Sequence, residues 1–320
     1  MRSITYQEAV LEALQEEFRR DGKTLFMSEH LNMPLRDEFG DARVRETPIS
    51  ESAFVGSAVG LAGSGFRPIV DIGMATFAFV AMDQMVNQAA KIHYMFGGQA
   101  KFPIVYQMTV GTGLSMAAQH CVSPYPMYMN APGLKIILPS TPYDVKGLLK
   151  AAIRDNNPVI SFQHMALGGF TGEVPEEEYI VPVGKADVKR EGSDVTVVAL
   201  ARMVHVALEA AGELEKAGIS IEVLDPRTLV PFDRAAIRAS VAKTGRLVVV
   251  DEACQTCGAA AEIISMVVED RSTYKALKSG PRRVCAPDVP VPFSPPMEQF
   301  VAPDKAKLMA AVYDVMDGKG

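Results

Sequence analysis

The sequence predicts an α/β protein made of two doubly wound domains. Short apolar runs alternate with helical stretches along most of the chain, a pattern typical of parallel sheets that helices cover on both faces. The alternation stops in the acidic, proline-bearing stretch 168–192 and then restarts. We therefore expect a first domain at 1–180 and a smaller second domain at 190–320, a division that suits a chain of 320 residues.

The predicted elements follow in order from the amino end. Thr5 and Glu8 have the spacing of a capping box, so the first element is predicted to be a helix that ends at Gly22. The first domain then has helices near 77–95 and 142–156 and strands at 67–73, 103–108, 134–139 and 158–164. The second domain is predicted as strands 195–200, 220–224 and 246–250 with helices 204–217, 234–243 and 259–268. A proline-dense run at 287–296 is expected to be extended, before a last helix near 304–316.

Composition excludes several classes of protein. The formal net charge is −6 and no basic block occurs, which argues against a nucleic-acid partner. No apolar run approaches the roughly 20 residues that span a bilayer, so we expect a cytoplasmic protein without membrane contact. Four scattered cysteines are too few for a disulfide scaffold and suggest buried thiols. Cys254 and Cys257 have the spacing of redox and zinc sites, but no second pair completes a zinc site, and we interpret them as inert.

One carboxylate, Glu51, opens a helix of small and apolar residues that runs to about Gly63. Each glycine inside a helix costs about 1 kcal/mol relative to alanine, so something is expected to pack closely on the face that carries Gly56 and Gly60. From the residues alone, Glu51 is more simply a first-turn acid favoured by the helix dipole.

Four segments together resemble the β subunits of thiamine-diphosphate-dependent 2-oxoacid dehydrogenases and acetoin dehydrogenases. They are residues 47–60, 83–91, 94–98 and 117–120, and the resemblance extends over nearly the whole chain. It implies an N-terminal pyrimidine-binding thiamin-diphosphate domain and a C-terminal transketolase-like domain. It also implies an oxidoreductase that forms an enamine from a 2-oxoacid or acetoin and passes it to lipoyl-lysine.

The resemblance implies roles for individual residues. Glu51 would hydrogen-bond the aminopyrimidine ring of thiamine diphosphate and so promote loss of the proton from the thiazolium carbon, and His120 would lie beside the thiazolium ring. Ile49 and Phe77 would contact the pyrimidine. Gly73 stands where the family has a bulkier residue beside the cofactor, and we interpret this loss as an enlarged acyl pocket.

A further run matches residues that bind a structural potassium ion in several relatives, largely through main-chain oxygens, which suit a hard cation. A helix end capped by Asn and Asp before Pro158 explains the same run equally well. The implied ligands are Ile104, Ala152, Ile153, Asp155 and Asn157.

The Gly-Asp-Gly motif with a distant Asn, which holds magnesium and the diphosphate in thiamine enzymes, is absent. The resemblance therefore implies an α subunit that supplies this site in a two-plus-two heterotetramer, together with a lipoyl-carrying acyltransferase as a further partner.

Gln107 replaces a usual arginine, residues 121–126 depart from the family, and the segment 27–46 is shorter. The departures at Gly73, Gln107 and 121–126 favour an alternative, a thiamine-diphosphate-dependent carboligase or two-carbon transferase that acts on an aldehyde or ketone. A third hypothesis is a non-catalytic assembly subunit.

Overall fold

A computed structural model describes residues 1–30 and 32–318. These residues form two compact units, each with its own parallel-rich sheet and its own covering helices. The first unit contains 1–110 and 127–183, and the second contains 111–126 and the chain from 184 onward. The predicted architecture, two α/β domains, is confirmed.

Strands and helices alternate along most of the chain. The strands are β1 Arg2–Thr5, β2 Thr24–Ser28, β3 Val44–Glu46, β4 Arg67–Met74, β5 Val105–Val110, β6 Lys135–Ile137, β7 Val159–His164, β8 Thr171–Val174, β9 Asp187–Arg190, β10 Val195–Ala199, β11 Ile221–Asp225, β12 Thr228–Val230, β13 Leu247–Cys254 and β14 Arg282–Ala286. The α-helices are α1 Tyr6–Arg20, α2 Met33–Phe39, α3 Glu51–Gly63, α4 Ala90–Met95, α5 Tyr125–Met129, α6 Pro142–Arg154, α7 Met203–Lys216, α8 Arg234–Thr244, α9 Ala259–Val268, α10 Arg271–Ala276, α11 Pro295–Val301 and α12 Lys305–Met316.

The sheet of the first unit has its strands in the order β6, β7, β5, β4, β2, β3, and every neighbouring pair is parallel. Helices α1 and α6 pack on it through a shared apolar core. The predicted capping box is present, since the Glu8 amide donates to Thr5 Oγ1 at 3.1 Å and the Thr5 amide donates to Glu8 Oε2 at 2.7 Å. The prediction that a helix comes first is wrong, because β1 precedes α1 and pairs antiparallel with β8.

The sheet of the second unit has the order β14, β13, β10, β11, β9, with only β9 antiparallel to its neighbour. Helices α7 and α12 share its main apolar core. One prediction fails in detail: Pro295 and Pro296 open α11 instead of extending the segment, because proline is tolerated in the first helical turn. The stretch 168–192 contains the short strands β8 and β9 with no helix between them, and the two units divide within it, after residue 183.

The segment predicted as one helix near 77–95 has three backbone types. A 3₁₀-helix covers Phe77–Ala81, a π-helix covers Asp83–Ala89, and α4 follows. Helix α3 packs directly on the π-helix, where a Cβ added at Gly56 would lie 3.2 Å from Gln84 Cγ. Gly56 is therefore explained by close packing within the chain, as the sequence predicted for this face.

The thiols are only partly as predicted. Cys121 is buried, but Cys254 and Cys257 are exposed, because Cys254 is the last residue of β13, past a register shift in its pairing with β14, and Cys257 lies beyond the strand. The part of the chain that the structure describes holds no group of three or more His, Cys, Asp or Glu side chains suited to a metal. No helix within residues 1–30 and 32–318 has both the length and the apolar composition needed to cross a bilayer.

Candidate active site

Glu51 is the first residue of α3 and is half-buried. Its carboxylate lies at the N-terminus of the helix, which is the positive end of the helix dipole. Within residues 1–30 and 32–318, no group donates a hydrogen bond or forms an ion pair with this carboxylate. The Glu51 carboxylate is therefore available to a group from outside the chain.

The first turn of α3 is fixed against the 3₁₀-helix that Phe77 opens. Ser52 Oγ donates a hydrogen bond of 2.6 Å to the carbonyl oxygen of Val80. Phe77 is partly exposed, whereas the side chain of Ile49 is 78% exposed. The first unit thus brings Glu51 and Phe77 onto two elements that are directly joined, and it leaves Ile49 uncovered.

Gly73 lies at a bulge of β4, where the pairing with β5 shifts register between Asp71 and Met74. Its φ is +74°, and its amide donates to Asp71 Oδ1 at 3.1 Å. A Cβ added here would lie 3.8 Å from the Phe77 ring and 4.0 Å from Glu29 Oε1, so space for a side chain exists. The left-handed backbone would nevertheless strain any other residue, and Gly73→Met would change strain as well as pocket volume.

His120 lies in the loop 111–126, which belongs to the second unit. This loop, the His120 loop, is a strained segment, since Ser115 and Ala117 have φ of 53° and 65°. The Nδ1 atom of His120 lies 3.2 Å from the carbonyl oxygen of Met116. Because a carbonyl oxygen can only accept, Nδ1 carries the proton in this contact and Nε2 is the basic nitrogen.

Three carboxylates of the second unit hold the His120 loop. Glu298 is 3% exposed and accepts hydrogen bonds from the amides of Gly113 at 3.0 Å and Ser115 at 3.1 Å, and from Ser115 Oγ at 3.1 Å. Glu252 accepts from the amide of Thr112 at 3.1 Å. Asp251 Oδ1 accepts from the hydroxyl of Tyr125. Charged acceptors make stronger hydrogen bonds than neutral ones, so Glu252 and Glu298 stabilise the strained backbone around His120.

The roles of Asp251, Glu252 and Glu298 were not predicted from the sequence. A signal was present for the first two, because they follow four consecutive apolar residues of β13, where acids need partners if they remain buried. No comparable signal identifies Glu298, since acids are common in the first turn of a helix such as α11.

The buried carboxyl group of Asp251 should make the free energy of unfolding depend on pH. Burial raises its pKa to about 6 from an ordinary value of 3.8, and the Tyr125 hydroxyl and the Ala253 amide offset this rise only in part. A raised folded-state pKa means that the contribution of Asp251 to stability is complete below about pH 4 and is lost as pH rises through 6. Asp251→Asn cannot titrate and retains an acceptor for both donors.

We therefore expect the unfolding free energy of the unmodified chain, relative to Asp251→Asn, to fall by about 2 kcal/mol between pH 4 and pH 7.5. Urea unfolding of the two proteins across this range measures the difference. A difference that stays constant with pH would contradict the prediction.

The five residues implied as potassium ligands also come together, at the end of α6. The carbonyl oxygens of Ile153 and Asp155 accept from Arg67 Nη1 at 3.0 and 2.9 Å. The Asp155 carboxylate accepts from Lys135 and from the side chain of Asn157, at 2.9 Å for the latter. The carbonyl oxygens of Ile104 and Ala152 accept from the amides of Val159 and Asp155. The capped helix end is therefore present, and each carbonyl oxygen retains a second lone pair.

The elements around Glu51 expose large apolar side chains. Gly60 lies on the exposed face of α3, where an added Cβ would meet nothing within 4 Å. Exposed apolar patches of this kind mark surfaces for protein contact. The side chains and their exposed fractions are Val80 66%, Tyr94 86%, Met95 71% and Phe96 55%.

Comparison with known proteins identifies both units. Residues 2–167 match the family "Transketolase, pyrimidine binding domain", and residues 184–308 match "Transketolase, C-terminal domain". The chain is similar over 99% of its length to a solved structure described as a split gene transketolase, inactive beta4 tetramer, with 24% identity, a TM-score of 0.82 and 99% of that chain covered. This likeness supports the fold.

Relatives of known function are similar to the chain over nearly its whole length. The chain is 44% identical to the acetoin:2,6-dichlorophenolindophenol oxidoreductase subunit beta of Cupriavidus necator, over 99% of this chain and 98% of that one. It is 42% identical to the pyruvate dehydrogenase E1 component subunit beta of Bacillus subtilis, over 92% and 93%. It is 38% identical to the 2-oxoisovalerate dehydrogenase subunit beta of the same organism, over 99% and 100%. The chain therefore belongs to the β subunits of the thiamine-diphosphate-dependent 2-oxoacid and acetoin dehydrogenases, a transketolase-like family whose members act with an α subunit.

Proposed function

We propose that this chain is the β subunit of a dehydrogenase that acts on acetoin or a 2-oxoacid and delivers the acyl group to lipoyl-lysine. The observation that carries the proposal is the carboxylate of Glu51, which is half-buried at the start of α3 and has no partner within residues 1–30 and 32–318. The relatives named for acetoin, pyruvate and 2-oxoisovalerate support this range of substrates.

The residues present fit thiamine diphosphate. When bound, the cofactor supplies the carbanion chemistry, and the protein supplies binding, orientation and proton transfer. Glu51 would hold a proton at the edge of the pyrimidine ring, and Ile49 and Phe77 would pack on its faces. His120 would move a proton through Nε2, because Nδ1 is committed to the Met116 carbonyl. We further propose that Gly73 leaves room for a larger acyl group, since a side chain there would approach Phe77.

The cofactor's charged end requires an α subunit. We propose a two-plus-two heterotetramer in which the α subunit holds most of the magnesium and diphosphate site, because the chain lacks the Gly-Asp-Gly motif. The exposed apolar side chains near Glu51 and the uncovered Gly60 suit such a contact. We also propose that the pyrimidine-binding domain occupies 1–180 and the C-terminal domain 190–320, which agrees with the family matches.

Acylation of a lipoyl domain tests the function. The chain is co-purified with its α subunit, supplied with thiamine diphosphate and magnesium, and offered acetoin, pyruvate or 2-oxoisovalerate together with a lipoyl domain. We expect cofactor-dependent acylation of the lipoyl-lysine, read by mass spectrometry. Acyl transfer to an aldehyde, with an unmodified lipoyl domain, would instead establish the alternative, a carboligase or two-carbon transferase. Gln107 favours that alternative, since a glutamine lacks the charge that an arginine offers to a substrate carboxylate.

A potassium ion at the end of α6 is a separate proposal. The ligands would be Ile104, Ala152, Ile153, Asp155 and Asn157, because each carbonyl oxygen retains a second lone pair. Potassium would compete there with Arg67, which donates to the carbonyl oxygens of Ile153 and Asp155, and with Lys135, which pairs with the Asp155 carboxylate. An ion that binds only the folded chain raises its stability by mass action. We expect the melting temperature to rise with potassium chloride above the value in sodium chloride of equal ionic strength, and this excess to disappear in Asp155→Ala. Equal melting temperatures in both salts would exclude the ion.

A further inference from the structure

Two thiols lie on one exposed turn of the second unit, between the end of β13 and the start of α9. Cys254 is the last residue of β13, and Cys257 precedes Gly258, the N-cap residue of α9. Both cysteines are exposed, whereas Cys121 is buried and Cys285 is half-buried. Exposed thiols can react with reagents in solution, so this pair does not fit the inert role expected from the sequence. The proposed function does not use it either.

The backbone between the two cysteines reverses sharply. A Cβ added at Gly258 would lie 2.5 Å from the carbonyl oxygen of Cys254, so the chain returns to Cys254 within four residues. Cys257 lies within this reversal and has a φ of 55°, a left-handed conformation that is uncommon for residues other than glycine. A reversal with two intervening residues suits the separation of about 4–7 Å between Cα atoms that a disulfide requires.

Neighbouring residues hold both residues between the cysteines. The Gln255 amide donates to the carbonyl oxygen of Ala286 at 3.0 Å, and Arg283 Nη1 donates to the carbonyl oxygen of Gln255 at 2.8 Å. Thr256 donates twice to the Asp288 carboxylate, from its amide at 3.2 Å and from Oγ1 at 2.6 Å. A turn held in this way keeps the two thiols close to each other, which favours reaction between them over reaction with a second molecule of reagent.

The surroundings of the pair argue against a metal site and against a different cysteine as partner. Structural zinc takes four protein ligands, and within residues 1–30 and 32–318 no third His, Cys, Asp or Glu joins the two thiols in a group suited to a metal. Cys254 pairs with Ala286 of β14. Cys285 is the residue before Ala286, and successive residues of a strand point to opposite faces, so Cys285 points away from Cys254. Burial raises the pKa of Cys285 to about 12 and that of Cys121 to about 11, so both remain protonated at neutral pH.

We propose that Cys254 and Cys257 form a reversible modification site, which reacts with a small soluble disulfide and closes into an intrachain disulfide. Partial burial and the carboxylates of Asp288 and Asp251 raise the pKa of Cys254, which disfavours the first attack by this thiol. The Cys257 thiolate therefore attacks one sulfur of the reagent, forms a mixed disulfide and releases one thiol. The Cys254 thiolate then attacks the Cys257 sulfur and releases the second thiol. The chain loses two protons and two electrons, and the reagent gains them as it becomes two thiols.

Reaction of the full-length chain with oxidised glutathione at neutral pH tests this proposal. Remaining thiols are blocked with iodoacetamide, and peptides are mapped by mass spectrometry without reduction. We expect a peptide in which Cys254 and Cys257 are joined, and dithiothreitol should restore both thiols. Their free thiols should disappear about tenfold faster than those of Cys121 and Cys285, which are less exposed. Persistence of both as free thiols, or glutathione on each without a bridge, would overturn the proposal.

Variants test the order of the two steps. Cys254→Ser should stop at the mixed disulfide, with one glutathione retained on Cys257, and Cys257→Ser should react about tenfold more slowly and form no bridge. Cys285→Ser, in the same unit, is the matched control and should form the bridge at an unchanged rate. A bridge between Cys257 and Cys285 in Cys254→Ser would overturn the assignment of the pair. The peptide map of the unmodified chain decides the proposal even if a variant fails to fold.

Discussion

Glu51→Gln is expected to reduce turnover by the assembled complex by roughly 10²- to 10⁴-fold, the range that general acid–base catalysis contributes. Glutamine has nearly the same shape and still accepts a hydrogen bond, but it cannot exchange a proton with the pyrimidine. The helix start should remain intact, because Ser52 and not Glu51 makes the bond to Val80 that fixes it. The measurement is the steady-state rate of lipoyl acylation at saturating thiamine diphosphate.

A matched substitution tests whether the loss of turnover is specific to Glu51 or follows the loss of any acidic side chain. Glu173→Gln alters an exposed acid of β8 in the same unit and should retain full turnover. Melting curves of both variants should coincide with that of the unmodified chain within a few degrees. Turnover of Glu51→Gln within threefold of the unmodified complex would remove Glu51 from the mechanism and favour the hypothesis of a non-catalytic assembly subunit.

Glu298→Ala is expected to destabilise the chain by about 3–5 kcal/mol and to reduce turnover about 100-fold. Truncation leaves the amides of Gly113 and Ser115 and the Ser115 hydroxyl without their acceptor, and each unpaired buried donor costs about 1–3 kcal/mol. The strained backbone at Ser115 and Ala117 would then relax and displace His120. A displacement of about 1 Å at a reacting group can cost about 10²-fold in rate.

Two further variants distinguish the role of Glu298 from general damage. Glu298→Gln keeps an acceptor of the same size without the charge, so we expect an intermediate loss of both stability and turnover. Gln299→Ala changes the exposed neighbour in α11 and should change neither. If Glu298→Ala lost stability but kept full turnover per folded complex, Glu298 would not position His120.

Local patterns identified most of the elements. The strands β4, β5, β7 and β10 and the helices α6, α7, α9 and α12 lie within a few residues of their predicted ranges, because apolar periodicity and capping residues act over short distances. The segment 77–95 was predicted less well. It divides into 3₁₀, π and α turns where it packs against α3, and side-chain periodicity does not report such packing.

The sequence pattern also did not predict the short edge strands. The strands β1, β8 and β9 contain four residues each, and they exist because a partner strand offers hydrogen bonds. Exposure of Cys254 and Cys257 had the same kind of cause, since it depends on where the pairing of β13 with β14 shifts and ends. In both cases the deciding interaction is distant in the chain.

The sequence by itself determined the class of fold, the place of Glu51 at a helix start, the loop that carries His120 and the family to which they belong. Only the tertiary structure decided which groups hold the His120 loop and which polar side chains meet on the first sheet. Glu298 and Glu252 bind the His120 loop from 185 and 140 positions away, and Gln107 meets Asp71 only through the order of the strands. Helix and strand formation depends on near neighbours, whereas buried polar contacts depend on which distant groups the sheet brings together to replace water.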